Sequence, residues 1–96
     1  MTDNNIVTLA FEKSLTYLAG FSFGEKIYRD QLENRIDFKK NFTVIFPEQI
    51  EGVASSFVQG LFKEVIDKEG LLETEQKIQI KAASDELSDA IRKKLQ

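Results

Sequence analysis

Two adjacent serines, Ser55 and Ser56, head the stretch SSFVQGLFKEVIDKEG at residues 55–70. A hydroxyl at a helix start has two uses. It can accept a hydrogen bond from an orphan backbone N–H, worth about 1 kcal/mol over alanine. It can also carry a phosphate, whose charge of about −1.5 to −2 suits the positive end of a helix dipole and would repel an acidic partner. The chain offers no base for that transfer, so the second use requires a separate serine kinase. Glu48 and Glu51 lie just upstream. Paired carboxylates do acid–base work only where their environments split their pKa values, and a solvated loop is the expectation here.

The glycines of GFSFGEK, residues 20–26, superficially look like a phosphate-binding loop. That loop needs four residues between its glycines and then Lys-Ser or Lys-Thr. Here three residues separate Gly20 from Gly24, and Glu25 precedes Lys26. A turn leading into a helix is the better reading. The chain has no Cys and no His. Disulfides, thiolate nucleophiles and Cys-ligated zinc are excluded, as are Ser-His-Asp and Cys-His catalysis from this chain alone. Oxygen-only magnesium or calcium sites lack EF-hand spacing. No cofactor is expected.

The 96 residues carry a net charge of −3 with both signs interspersed, so no strong field attracts nucleic acid. The basic tail IRKKLQ and the pair Lys39-Lys40 could touch phosphates, but basic residues at a helix C-terminus are explained by the dipole. No apolar run nears the ~20 residues of a membrane span. The start, MTDNNIV, has no signal-peptide pattern. The expectation is one cytoplasmic domain, residues 1–96, with no membrane contact. Hydrophobic residues make up 42% of the chain and eight are Phe, enough for one core.

The elements that must position the serines follow from periodicity. NIVTLAF (5–11) and LTYLA (15–19) read as strands of a hairpin around the turn EKS. Phe23, Ile27, Leu32 and Ile36 share a helical face, with Tyr28 beside them, over about 22–36. Ser22 and Glu25 would form its capping box. FTVIF (42–46) reads as a strand buried on both faces, ended by Pro47. PEQIEGVA reads as a loop. Phe57, Leu61, Phe62, Val65 and Ile66 make the clearest helical face, with Gly70 just past its end. KIQIKA (77–82) alternates as a half-buried strand near a sheet edge. Ser84 caps a last helix along which Leu87, Ile91 and Leu95 recur. The order β-β-α-β-α-β-α implies an α/β sandwich, with a mixed four-stranded sheet and about three helices mainly on one face.

This order, and the loop sequence VIFPEQIEGVASSFVQGLF, resemble the STAS domain of sulfate transporters and anti-sigma-factor antagonists. The chain is also similar to a STAS-like family of unknown function. There the match lies in Gly52, Ser55, Ser56 and Phe57, in Phe62 five residues on, and in Phe23, Gly24 and Glu25 at the opening of the first helix. The resemblance covers roughly residues 20–70. It departs at Phe46 and Pro47 and at Ala54, where such families carry Asp, and at Lys63 and Glu64, where they carry small residues. It implies a non-enzymatic regulatory module that works by protein–protein contact. The implied partner is a histidine-kinase-like ATPase or serine kinase, and Ser55 falls on the phosphoacceptor. The expected partner surface is Gly52, Ala54, Ser55 and Ser56, with Val58 and Gln59 on the adjoining helix. Phe57, Leu61, Phe62 and Val65 go to the core. Two other readings compete: a small-molecule- or nucleotide-binding α/β domain, and a structural subunit that forms a homodimer through its edge strand or an exposed apolar patch.

Overall fold

The computed structural model describes residues 5–96. The polar start read as lacking a signal peptide falls mostly on residues 1–4, outside the described residues. The architecture is α/β. Strand β1 (Ile6–Thr8) leads to β2 (Tyr17–Leu18) and then to helix α1 (Phe21–Ile27), which continues as a π-helical turn, Tyr28–Leu32. Next come β3 (Phe42–Ile45), β4 (Gly52–Val53), α2 (Ser55–Glu69), α3 (Leu71–Lys77), β5 (Ile78–Lys81) and α4 (Asp85–Lys93). Among the described residues no helix is long and apolar enough to cross a membrane.

The strands form two small sheets rather than one mixed sheet of four. β1, β3 and β5 make a parallel sheet with β3 in the centre, and β2 pairs in parallel with β4. The expected hairpin does not form. The turn is there, closed by Leu15 N–H donating to Glu12 O at 3.0 Å. The expected partner is engaged elsewhere, because β2 pairs with β4, and beside the turn the Gln31 amide receives Ala10 N–H at 2.8 Å and donates to Ala10 O at 2.9 Å. The carbonyls of Glu12 and Leu15 both accept from Gln49 Nε2.

Alternation along the main sheet buries one face. Val7, Phe42, Val44, Ile78 and Ile80 point into the core, while Ile6, Thr8, Gln79 and Lys81 are exposed and Thr43 and Ile45 half-buried. The helices therefore cover one side, as the sequence implies, and β3 is not buried on both faces. Pro47 follows β3 closely, although Phe46 still donates to Lys81 O at 2.8 Å.

The first helix starts at Phe21, not Ser22. Gly20 precedes it at φ +102°, and no side chain caps it. Gly24 N–H to Gly20 O, 3.1 Å, sets the first turn, which leaves Ser22 inside the helix. The five-residue step from Ile27 to Leu32 is too long for a straight α-helical stripe. The π turn absorbs it, with Glu33 N–H reaching Tyr28 O at 2.9 Å, and both side chains stay buried.

Helix α3 was not expected. Its leucines, Leu71 and Leu72, are exposed, and its one buried residue is Thr74, whose hydroxyl donates to Gly70 O at 2.8 Å. Apolar periodicity therefore carries no trace of it. The Glu73–Lys77 pair at i,i+4, 3.2 Å apart, is its local signature. Gly70, at φ +90°, closes α2 and opens α3, which puts the expected glycine where it was placed. Ser84 caps α4 as expected, accepting Leu87 N–H at 3.1 Å.

Helices α1 and α2 cross with their backbones in contact. A Cβ on Gly60 would lie 2.0 Å from Phe21 O, and one on Gly24 would lie 2.3 Å from Phe57 O. Real Cβ atoms do not approach backbone so closely. Gly60→Ala should therefore force the helices apart and cost about 3 kcal/mol or more, the upper range for overpacking, in equilibrium urea unfolding. A loss below about 0.5 kcal/mol, as for an ordinary surface change, would show that the crossing is not tight.

Tyr28 is buried beneath this layer. Burial raises its phenol above the usual tyrosine range, and the carboxylates of Glu64 and Glu33 add to the shift. The unfolded chain then loses this proton first as pH rises, so stability should fall above about pH 10, the ordinary tyrosine value. Tyr28→Phe should flatten that alkaline fall in a pH series of thermal melts, and an unchanged slope would discount it.

Candidate functional site

The serines sit where two short strands and two helix starts meet. Tyr17 lies opposite Gly52, and Leu18 opposite Val53. The pairing extends at both ends, with Glu51 N–H on Thr16 O and Ala54 N–H on Leu18 O, each at 2.7 Å. The second of these bonds holds Ala54 extended, at φ −76° and ψ 153°. The Ala54 carbonyl then receives the N–H groups of Phe57 and Val58 at 3.1 and 3.2 Å. Ala54 is thus the N-cap, and Ser55 and Ser56 are the first two residues inside α2. No side chain caps this helix. The capping role expected of the serines is corrected accordingly: the strand hydrogen bond to Leu18 starts the helix one residue early.

The two hydroxyls have different surroundings. Ser56 Oγ accepts Gly20 N–H at 3.0 Å and so joins the start of α2 to the start of α1. Ser55 is exposed, and its hydroxyl makes no hydrogen bond among the described residues. A strand-to-helix turn thus presents one tied hydroxyl and one untied hydroxyl side by side, at the N-terminal end of a 15-residue helix. Backbone N–H groups there favour added negative charge.

Two aromatic side chains that sequence reasoning did not assign to the site complete this surface. Tyr17 is 57% exposed and lies over Gly52, where a Cβ would come within 2.7 Å of its ring. Phe21 opens α1 and is 39% exposed. Tyr17 could have been found from the alternation of LTYLA, because a buried Leu18 obliges its neighbour to face outward. Nothing in the local pattern separates the exposed Phe21 from Phe23, which packs on the core.

Of the expected partner-binding residues, Ser55, Ser56 and Gln59 are exposed, and Gly52 and Ala54 half-buried. Val58 is not on the surface; it is fully buried. Phe57, Val58, Gly60, Leu61 and Phe62 are all buried, and they cover most of the circumference of α2 over its first turns. Gln59 and Lys63 are left to face out. Phe57, Leu61, Phe62 and Val65 are in the core as expected.

The other sequence candidates disperse. Glu48 and Glu51 are exposed. The glycines of GFSFGEK answer to the helix crossing and to the turn at Gly20. The basic tail is largely engaged with backbone. Arg92 donates to the carbonyls of Ile78 and Glu75, and Lys94 donates to Val53 O at 2.6 Å. On another side of α1, an open cleft of about 430 Å³ runs between residues 10–15 and the helix. Phe11, Leu15, Phe23 and Ile27 form its apolar lining, and Glu12 and Ser14 supply polar groups. Phe11, Phe23 and Phe57 stack edge-to-face behind it, with ring centroids 5.4–6.3 Å apart.

The two serines should separate in stability measurements. Ser56→Ala loses the acceptor for Gly20 N–H and should cost about 1 kcal/mol, the usual net worth of one hydrogen bond. Ser55→Ala should stay within about 0.5 kcal/mol, as expected for an unbonded surface group. Equal effects in urea unfolding would remove the distinction. In comparisons with known proteins, the chain matches no family model, no curated protein and no solved structure.

Proposed function

We propose that the chain is a non-enzymatic regulatory module that binds a protein partner through the junction of β4 with α2, in the manner of an anti-sigma-factor antagonist. The supporting observation is the untied, exposed Ser55 hydroxyl at the start of α2, beside a surface that carries the exposed rings of Tyr17 and Phe21. Exposed aromatics are common anchors at protein interfaces. The STAS resemblance of residues 20–70 points to the same place and adds a partner of the histidine-kinase-like ATPase or serine-kinase class.

On this reading Ser55 is the phosphoacceptor, and the contact surface is Gly52, Ala54, Ser55, Ser56 and Gln59, with Tyr17 and Phe21 in place of the buried Val58. A phosphate on Ser55 disturbs no internal hydrogen bond, because its hydroxyl makes none. A phosphate on Ser56 would compete with Gly20 N–H for the same oxygen. Phosphorylation at Ser55 therefore changes the charge of the docking surface and leaves the fold in place.

The test is mass spectrometry on protein recovered from its own cells, with a pull-down of wild type and of Ser55→Asp. The reading requires a modified Ser55 and altered partner recovery by a Ser55→Asp protein of near wild-type stability. Unmodified Ser55 under all growth conditions, with unchanged recovery, would reject the switch. The cleft lined by Phe11 and Phe23 favours a second reading, a small-molecule site of ordinary pocket size. A thermal-shift screen of nucleotides and metabolites addresses it: a stabilising ligand lost on Phe23→Ala would support that reading over the first.

A further inference from the structure

The hydrogen-bonding pattern of the main sheet leaves a short window of unpaired strand backbone along β1, and that window is complementary to itself. In a parallel ladder, alternate residues turn both backbone groups to one side. Thr43 N–H on Asn5 O, at 3.1 Å, and Leu9 N–H on Ile45 O, at 2.8 Å, show that Asn5, Val7 and Leu9 face β3. Ile6 and Thr8 therefore turn their N–H and C=O groups outward, and these groups have no partner among the described residues.

Most other outward positions are covered, with Ile80 of β5 the exception. Ala10, next along this edge, is held at both backbone groups by the Gln31 amide. On the far side of the sheet, Phe46 N–H on Lys81 O shows that Ile78, Ile80 and Ala82 face outward from β5. There Arg92 donates to Ile78 O at 2.9 Å, and Ser88 Oγ accepts Ala82 N–H at 2.9 Å. Side chains from α4 thus guard that edge on either side of Ile80, a usual defence against strand addition. β1 has no such guard at Ile6 and Thr8, and Ile6 is 50% exposed.

We infer that β1 pairs antiparallel with β1 of a second copy of this chain, about a two-fold axis at Val7. The length of the window favours this occupant, since with Ala10 held by Gln31 two outward residues are open and a second copy presents the same two. Outward residues at i and i+2, centred on an inward residue, place Ile6 opposite the partner's Thr8 and Thr8 opposite the partner's Ile6. Both are hydrogen-bonded pairs that exchange two bonds each. All four outward N–H groups and all four outward carbonyls of the two windows are satisfied, and the same patch serves both copies, as an isologous interface requires. The two-fold axis stands normal to the sheet. The result is one six-stranded sheet with both helical layers on the same side. The Ser55 surface takes no part in the pairing, so the inference stands apart from the proposed function.

Analytical ultracentrifugation over a concentration series tests the pairing. The side chains of Ile6 and Thr8 lie on the open face, so changing them spares the core. Ile6→Lys with Thr8→Lys sets like charges directly opposite across the two-fold axis and should weaken the dimer at least about tenfold. Ile6→Glu with Thr8→Glu should do the same. Mixing the two variants should restore a heterodimer, with circular dichroism confirming that each is folded. A wild-type chain that is monomeric throughout overturns the inference, and the edge would then be open to an extended segment of another protein. A Lys variant that dimerises like wild type, or a mixture that does not recover, overturns it as well.

Discussion

The backbone contact between α1 and α2 is the constraint on which the other features depend. Gly24 and Gly60 remove the two Cβ atoms that would hold the helices apart. With the helix axes close, Phe23 can meet Phe57 at a centroid separation of 5.4 Å, and Phe11 closes over both. The same closeness brings the start of α1 beside the start of α2, so that Gly20 N–H reaches Ser56. The exposed Phe21 is carried on the backbone that Gly60 touches. The packed interior and the candidate surface are two ends of one crossing.

Much of this layout is legible in the sequence because burial imposes periodicity. The alternation of KIQIKA marks β5 at an edge with Ile78 and Ile80 inward. The apolar face from Phe57 to Val65 marks α2, whereas the five-residue step from Ile27 to Leu32 reads only as an imperfect helix and the π turn that absorbs it is not foreseen. The features that escape are those made by polar side chains or by distant backbone. Strand β4 is two residues long and exists because β2 lies beside it. Helix α3 buries a threonine rather than a leucine. The hairpin fails because β2 pairs with the distant β4, while Gln31, remote in sequence, holds Ala10 beside the turn. None of these leaves a pattern in a local window.

The candidate site shows the same division. The exposed Ser55 and Gln59 and the buried Phe57 follow from helical spacing. Val58 does not, because α2 is enclosed on nearly all sides near its start and its buried arc is wider than that of a surface helix. The capping assignment fails for a related reason. Serine before an apolar run is a sound signal for a helix start, but the start is set here by a strand bond at Ala54, which shifts the frame by one residue. That shift is what separates the two hydroxyls, one bonded and one free.

Every strand pairing among the described residues is parallel and joins residues more than thirty positions apart. Each such contact requires a long loop to close before any ladder bond is gained. No sheet element can zip up locally, so the chain belongs among the slower folders for its size. The crossing of α1 with α2 is a closure of the same kind, joining Gly24 to Phe57 and Phe21 to Gly60. In kinetic terms the two glycines serve one more long-range closure, in a chain whose strand pairings offer no local one.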